Sequence, residues 1–411
     1  MTEIFIAGVS MTRFAPQPDE SVKSLSAQSV RQCLVDAGAE ATQVGAVYFS
    51  NAVHRVIENQ AVISGQIALQ GTGLEGLPMV NVENGSASAG TAFWLARKHL
   101  LAGRAELVLA VGTAKTVFEN TTLSEVTYEA IKPNLPVKYM DSIREYLRAS
   151  GQQCEFNENA AEYPHPIHLN ALLCRAHMLR FGTTQRQLAV IACKSHANSI
   201  LNSKCRQHSL ISLEECLEAP PLTYPFTAPM LKGSNDGSAA ALLATANGLK
   251  RLKGSNKAIR VDSCILTSGK PHNWDDFDSH LVSRATSRAY AQAGIGPEDV
   301  DIAEIHDETP FTEVLMAELL GFCETGRGGP FAESGASMLN GRLPINPSGG
   351  LLSKGHPVGA TGLGQIYELV TQLRQKAGHR QVEYAKVAVQ VNGGGILDTG
   401  EGAAVVTVLS R

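Results

Sequence analysis

Two segments of this 411-residue chain show the same predicted order of strands and helices. In the first segment, a strand, a helix and a strand occupy Ile4–Val9, Ser21–Ala37 and Gly45–Ser50. In the second segment, the corresponding strand, helix and strand occupy Val261–Leu266, His280–Ala293 and Val300–Ile305. Strands that alternate with helices indicate βαβ units, and a repeated order of elements indicates repeated structural units. The repeat therefore predicts an α/β protein built from two similar halves.

Each copy continues into a nearly continuous apolar strand, Ala105–Val111 in the first and Lys386–Val391 in the second. Such strands are typical of sheets that are covered on both faces. Between the copies the regular order is lost, although helical stretches at Ala171–Phe181 and Thr184–Asn198 interrupt this segment, which we interpret as an insertion. The predicted division is a first half at residues 1–114 and 236–260, an inserted loop domain at residues 115–235, and a second half at residues 261–411.

The bulk composition narrows the class of protein. A net charge of −4 gives no basic surface for nucleic acid or anionic membranes. The chain lacks an uninterrupted apolar run of about 18 residues, and its N-terminus lacks the basic start and long apolar stretch of a signal peptide. The eight cysteines show no CxxC spacing, so neither a zinc site nor a disulfide framework is expected. These features predict a cytoplasmic protein that binds neither nucleic acid nor membrane.

Two glycine-rich segments in the C-terminal third, Asn346–Gly362 and Val391–Gly395, are predicted to form turns. The first carries one histidine, His356, among small residues. Glycine lets backbone and substrate approach closely because it has no Cβ, and an imidazole with a pKa of about 6.5 suits proton transfer near neutral pH. A histidine satisfied by hydrogen bonds in a loop is the alternative for a single residue of this kind.

The run around His356 resembles the signature of the thiolase superfamily, in particular its branch near the sterol-carrier-protein-type thiolases. The resemblance covers essentially the whole chain. It implies the thiolase fold, in which two pseudo-repeated βαβαβαββ halves, each with a mixed five-stranded sheet, form a layered αβαβα core with an inserted loop domain. It also favours a catalytic role for His356.

A second candidate site lies at the start of a predicted helix. The strand Leu77–Val82 is followed by a turn and by a helix over residues 86–102, where a group receives unpaired N–H groups and the field of the helix N-terminus. Thiolases carry their acyl-accepting cysteine at this turn, in the pattern Cys-x-Ser/Thr-Gly-x-x-Ala. This chain reads Ser86-Ala-Ser-Ala-Gly-Thr-Ala92, so that Ser86 stands where the family has cysteine.

Three interpretations of Ser86 remain open from the sequence. A serine hydroxyl does not ionise as a thiol does, so a nucleophilic Ser86 needs a base within hydrogen-bond reach. Alternatively, Ser86 is only the N-cap of the helix, a position that serine favours. An engineered exchange of cysteine for serine is the third interpretation.

The resemblance assigns further residues. His306, in Ile305-His-Asp-Glu-Thr-Pro-Phe311, matches the family position that supports the thioester oxyanion together with the histidine at 356. The family's second cysteine or histidine, which moves a proton at the substrate α-carbon, is replaced here by Val391 or Asn392, and neither is a base at neutral pH. The oxyanion and backbone group predicted at this position is Asn392, Gly393, Gly394 and Gly395, whose N–H groups suit a second oxyanion hole.

Tyr224, Ser353 and Gly355 are predicted to contact substrate. A cluster of Tyr163, His165, His168 and His177 has spacings that fit no metal-ligand pattern, so no metal site is predicted.

The predicted function is that of a thiolase-like acyltransferase, which moves an acyl group from acyl-CoA or an acyl carrier protein through Ser86, in Claisen-type carbon–carbon bond formation or onto a heteroatom. A thiolase-like lyase that cleaves an acyl-CoA side chain by retro-aldol chemistry is one alternative, and a non-catalytic partner subunit is another. The coenzyme A thioester is a substrate, and no permanently bound cofactor is expected. The family resemblance implies a homodimer or a dimer of dimers, and a small zinc-ribbon/OB-fold subunit as a further partner.

Overall fold

The computed structural model describes residues 2–52, 60, 62–116, 137–152, 165–206, 209–233, 235–253, 255–397 and 400–411. The strands are β1 (Ile4–Met11), β2 (Ala46–Ser50), β3 (Met79–Val82), β4 (Leu107–Ala114), β5 (Pro221–Thr223), β6 (Phe226–Thr227), β7 (Gly237–Thr245), β8 (Ile259–Ser268), β9 (Ile302–Glu304), β10 (Val387–Leu397) and β11 (Gly400–Ser410). The α-helices are α1 (Val22–Ala37), α2 (Ser64–Ala68), α3 (Ser88–Leu101), α4 (Val137–Ala149), α5 (His165–Phe181), α6 (Gln185–Ile200), α7 (Leu213–Glu218), α8 (Ala246–Lys250), α9 (Leu281–Ala293), α10 (Pro310–Leu319), α11 (Gly328–Glu333) and α12 (Thr361–Leu373). In the described part of the chain, none of these helices combines the length and the apolar character needed to cross a membrane.

The strand order confirms the repeat that the sequence predicts. The order is β3-β2-β4-β7-β1-β8-β11-β10-β9, so the first five strands come from the first half and the last four from the second. In the first half β2 and β4 are parallel, β4 and β7 are antiparallel, and β7 and β1 are antiparallel. The second half repeats this pattern with β9, β10, β11 and β8. Hydrogen bonds join all nine strands, and we call the strands of the first half the first sheet and those of the second half the second sheet. The two sheets meet where β1 pairs with β8 over two residue pairs.

The second half differs from the expected five strands. Among the described residues it contributes four strands, and an isolated parallel bridge between Ala303 and Ile345 stands in the position equivalent to β3. A single bridge forms there because the chain turns into Asn346, whose φ of 54° is left-handed and takes the backbone out of an extended course.

The helices form layers around the two sheets. Helices α3 and α12 each contact strands of both halves, and together with those strands they enclose the largest apolar core. Helix α1 covers the outer face of the first sheet, and α9 and α10 cover the outer face of the second. The result is the αβαβα arrangement that the family resemblance predicts.

The repeat extends to the ends of the outer helices. Helix α1 ends at Gly38 and α9 ends at Gly294, and both glycines have left-handed backbone angles, with φ of 65° and 71°. Glycine takes this conformation at little cost and closes the last helical turn, which is why the Asp-Ala-Gly and Gln-Ala-Gly sequences end the two helices at equivalent points.

Two local predictions are wrong. The helix predicted over residues 86–102 begins at Ser88, so Ser86 lies in the preceding turn. The Val391–Gly395 segment is part of strand β10 rather than a turn, with Gly393 and Gly394 opposite Ala404 and Ala403 of β11. Glycine is uncommon inside strands, but here the backbone of Ser86 and Ala87 leaves no room for a side chain at Gly394, and the side chain of Glu401 occupies the space beside Gly393.

A buried ion pair joins helix α6 to helix α10. The Lys194 ammonium on α6 is paired with the Glu313 carboxylate on α10 and also donates to the carbonyl oxygen of Ile345 over 3.0 Å. Both charged side chains are almost fully buried, at 1% and 2% exposure. Because neither charge is solvated by water, each depends on the other.

We expect Lys194→Met to lower the free energy of unfolding by about 3–5 kcal/mol, because it leaves a buried carboxylate without its partner. Arg186→Met is the matched control on the same helix, since Arg186 pairs with Glu333 on the surface and should change the free energy by less than about 1 kcal/mol. Urea unfolding followed by circular dichroism measures both. Equal effects of the two substitutions would contradict this account of how the segment is held.

Candidate active site

The Ser86 hydroxyl faces an imidazole. Ala87 occupies the N-cap position of α3, and the turn is closed by Ser88, whose hydroxyl accepts from the backbone N–H of Asn84 over 2.8 Å. Ser86 is therefore not the helix cap. Its Oγ lies 3.3 Å from Nε2 of His356, so the structure brings these two predicted site residues together.

The neighbours of His356 determine which ring nitrogen carries the proton. Nδ1 lies 2.7 Å from the hydroxyl oxygen of Thr361, in the first turn of α12. That hydroxyl donates its own proton to the carbonyl oxygen of Pro357 over 3.0 Å, so it accepts from His356 Nδ1–H. In the neutral ring, Nε2 is then an acceptor that faces the Ser86 hydroxyl.

A similar argument assigns the opposite tautomer to His306. The side-chain oxygen of Asn392 accepts from the backbone N–H of Gly90 over 3.0 Å, which fixes the orientation of the amide. The amide nitrogen of Asn392 then donates to the carbonyl oxygen of Ser86 over 3.0 Å and to Nδ1 of His306 over 3.3 Å. His306 Nδ1 is an acceptor, so the proton of the neutral ring is on Nε2.

Both rings favour the neutral form. Burial lowers the pKa of His356 well below the ordinary value, and the positive charge of Lys232 and the neighbouring His306 act in the same direction. Burial also lowers the pKa of His306, despite the nearby carboxylate of Glu308. The ring centroids are 5.1 Å apart, with the planes nearly perpendicular. The site thus presents the unprotonated Nε2 of His356 as a hydrogen-bond acceptor and the Nε2–H of His306 as a hydrogen-bond donor.

Sequence reasoning missed Glu308. Its carboxylate oxygen lies 3.8 Å from Nε2 of His306 and 3.7 Å from Nε2 of His356, and it forms an ion pair with Lys232. Although burial by itself acts to raise it, the Lys232 ammonium and a hydrogen bond from His306 hold the pKa of Glu308 well below its usual range. The available signal was its position two residues after His306 in the quoted motif, but the sequence does not show that Lys232 approaches it.

His306, Glu308 and His356 also have the composition of a metal site, with ligand atoms all within 4.8 Å of one another. However, the Glu308 oxygen near both histidines is the same one that pairs with the Lys232 ammonium. A metal ion would have to displace this ammonium, which already neutralises the carboxylate. The arrangement fits proton transfer better than metal binding.

The glycines predicted at the site lie against the serine turn. A Cβ on Gly394 would be 2.5 Å from the backbone nitrogen of Ser86, and a Cβ on Gly85 would be 2.8 Å from that of Gly395. A side chain at either glycine would push the serine turn away from β10. Val391 is fully buried in the apolar core beside α9 and α10, so it is not part of the site, whereas the side chain of Asn392 is.

The residues predicted to contact substrate have different surroundings. Ser353 is buried in the π-helical segment Gly350–Lys354, and its hydroxyl lacks a hydrogen-bond partner within the described ranges. Gly355, with φ of 120°, lies next to the side chain of Asn235. Tyr224 is 54% exposed in the turn between β5 and β6.

The histidine cluster of the loop segment is only partly described. Tyr163 and the side chain of His165 lie outside the described residues. His177 is buried, with Nδ1 2.8 Å from the Thr183 hydroxyl and Nε2 3.2 Å from the Glu318 carboxylate. These two partners satisfy both ring nitrogens of His177, which explains its burial without a metal ion.

Comparison with known proteins identifies the family of this chain. The family description "Thiolase, N-terminal domain" matches residues 4–206, and "Thiolase C-terminal domain-like" matches residues 266–411. Sterol carrier protein 2 of Oryctolagus cuniculus is 31% identical over 99% of this chain and 72% of that protein. Acetyl-CoA acetyltransferase of Methanothermobacter thermautotrophicus is 30% identical over the full length of both chains.

A solved structure described as an Ltp2-ChsH2(DUF35) aldolase superposes with a TM-score of 0.77 and 20% identity, covering 100% of this chain and 98% of that one. At 20% identity, this structural similarity shows a shared fold and nothing more. The two domain matches and the two relatives go further, and together they show that this chain belongs to the thiolase superfamily.

Proposed function

We propose that this protein is an acyltransferase that carries the acyl group on Ser86. The observation that supports this most directly is the 3.3 Å contact between the Ser86 hydroxyl and His356 Nε2, the nitrogen left unprotonated by the Thr361 contact. A serine needs such a base because its hydroxyl does not ionise at neutral pH. The neutral state of His356, favoured by burial, keeps the base available.

In the proposed first step, Ser86 Oγ attacks the carbonyl carbon of a thioester while its proton passes to His356 Nε2. The oxygen of the tetrahedral intermediate becomes negatively charged, and the Nε2–H of His306 stabilises it. The carbon–sulfur bond then breaks, and His356 returns the proton to the leaving thiolate. Atoms and charge balance, and the products are acyl-Ser86 and a free thiol.

A coenzyme A thioester is the proposed donor, with an acyl carrier protein as the second source of the same thioester chemistry. The name of the full-length relative, acetyl-CoA acetyltransferase, supports the first source.

In the second step, a carbon nucleophile that attacks acyl-Ser86 gives Claisen-type bond formation. The retro-aldol alternative needs no acyl-serine, and the serine–histidine contact therefore favours acyl transfer over it. A zinc-ribbon/OB-fold subunit and a cytoplasmic location remain proposals.

Acyl transfer through Ser86 predicts a covalent adduct with acetyl-CoA, one acetyl group per chain, detected by intact-mass spectrometry in a rapid quench. Ser86→Ala should abolish the adduct. His356→Ala should slow its formation by about 100-fold or more through loss of the general base, and His306→Ala by about 100-fold through loss of an oxyanion donor.

His379→Ala is the matched control, because His379 is exposed on the surface and should leave the rate unchanged. An undiminished adduct in Ser86→Ala would remove Ser86 from the mechanism. A wild-type protein without any adduct, but able to cleave a β-hydroxyacyl-CoA, would establish the retro-aldol alternative instead.

We also propose that the protein is a homodimer, or a dimer of such dimers, through strand β3. This strand is at the edge of the sheet, and Val80 at its centre is 46% exposed. An exposed edge strand with apolar side chains is a template for pairing with a second strand, here that of a second copy of the chain.

Light scattering coupled to size exclusion should give a dimer or larger for the wild-type protein. Val80→Lys should shift it towards monomer because the new charges would meet across the paired strands. Val35→Lys is the control, since Val35 is also exposed, at 76%, but lies on helix α1. A wild-type monomer at micromolar concentration would contradict the proposal.

A further inference from the structure

Two of the cysteines lie in contact on neighbouring helices. Cys193 is on helix α6 and Cys216 is on helix α7. Their thiol groups form a side-chain hydrogen bond with one another, and Cys193 packs against the apolar cluster that contains Cys216. Both are free thiols, and we call Cys193 and Cys216 the thiol pair.

The fold holds the backbone on both sides of this contact. On α6, the residue after Cys193 is Lys194, whose buried ammonium is paired with the Glu313 carboxylate of α10. On α7, the carbonyl oxygen of Cys216 accepts from the Thr227 hydroxyl over 2.7 Å. The two helices also contact one another directly. The two sulfur atoms therefore stay together in the folded protein.

The two thiols differ in exposure and in acidity. Cys193 is half-buried, whereas Cys216 is fully buried. The hydrogen bond from Cys216 lowers the pKa of the Cys193 thiol, and the same contact, together with burial, raises the pKa of Cys216. The thiolate is the form of cysteine that reacts with peroxide. Cys193 is thus the accessible and more reactive thiol, and Cys216 is a protonated thiol beside it.

The other described cysteines lack this combination. Burial raises the pKa of four buried thiols, those of Cys33, Cys174, Cys205 and Cys264. Cys323 is half-buried like Cys193, but burial raises its pKa to about 12. The turn before α3 offers no thiol either, because serine occupies position 86.

We propose that the thiol pair is an oxidisable site, which forms a reversible disulfide between α6 and α7 when the protein meets hydrogen peroxide. A reactive, partly accessible cysteine next to a second, resolving cysteine is the arrangement that favours this modification. The inference does not depend on acyl transfer through Ser86.

The proposed reaction has two steps. The Cys193 thiolate attacks one oxygen of hydrogen peroxide, so that a sulfur–oxygen bond forms, the oxygen–oxygen bond breaks, and hydroxide leaves. The Cys216 sulfur then attacks the sulfenic acid on Cys193, so that the disulfide forms and the sulfur–oxygen bond breaks. The thiol proton of Cys216 leaves with the hydroxyl group as water. The two cysteines are oxidised by two electrons, and the peroxide is reduced.

The test treats the full-length folded protein with stoichiometric hydrogen peroxide and then blocks free thiols with N-ethylmaleimide. Mass spectrometry of a non-reduced digest should show the peptides of Cys193 and Cys216 joined, and dithiothreitol should separate them. Cys216→Ser should stop at a sulfenic acid on Cys193, which dimedone traps, and Cys193→Ser should abolish both products. Cys323→Ser is the matched control, since Cys323 is also half-buried, and should leave the joined peptides unchanged.

The wild-type result decides the proposal even if a substitution unfolds the chain. A dimedone adduct on wild-type Cys193 without joined peptides would overturn it, because Cys216 would then not resolve the sulfenic acid. Joined peptides that appear only in urea, or that join other cysteines, would also overturn it, because the contact in the folded protein would not be their source. The acetyl adduct on Ser86 is measured on untreated protein, so failure of the proposed function is seen separately.

Discussion

The rest of the site depends on the hydrogen bonds of the Asn392 side-chain amide. Its oxygen is held by Gly90 of α3, so its nitrogen must donate to Ser86 and to His306. A Cβ at Gly362 of α12 would lie only 2.2 Å from the same oxygen, so a glycine on each central helix leaves room for this amide. The amide thereby connects the serine turn, the second histidine and both central helices, and it assigns the proton of His306.

The internal repeat explains why Ser86 and His356 meet. Ser86 lies two residues before α3 and His356 lies five residues before α12, and these are equivalent helices in the two halves. The two helices come from different halves, but both lie between the two sheets. Their N-terminal turns therefore face one another. Duplication of a simple strand–helix unit thus produces a two-component site that neither half contains alone.

Much of the fold and part of the site could be predicted from the sequence. Periodicity and strand order are local properties, so the two halves and helices α1, α3, α5, α6 and α9 were predictable, and the family motifs indicated Ser86, His306 and His356. Glu308 was not predictable, because its place beside the two histidines depends on Lys232, which is distant in sequence and adjacent only in the fold. The prediction of a turn at Val391–Gly395 failed for a related reason. Glycines there serve close packing between strands and the serine turn, whereas composition alone favours a turn.

The central claim is that neighbouring hydrogen bonds give the two active-site histidines opposite tautomers, so that His356 accepts the Ser86 proton and His306 donates. ¹⁵N-detected NMR of protein labelled at histidine measures this directly, with His306→Gln and His356→Gln used to assign the signals. The account predicts, at neutral pH, a protonated Nδ1 and a bare Nε2 in His356, and the reverse in His306. A proton on Nε2 of His356 would leave Ser86 without a base and would contradict the account.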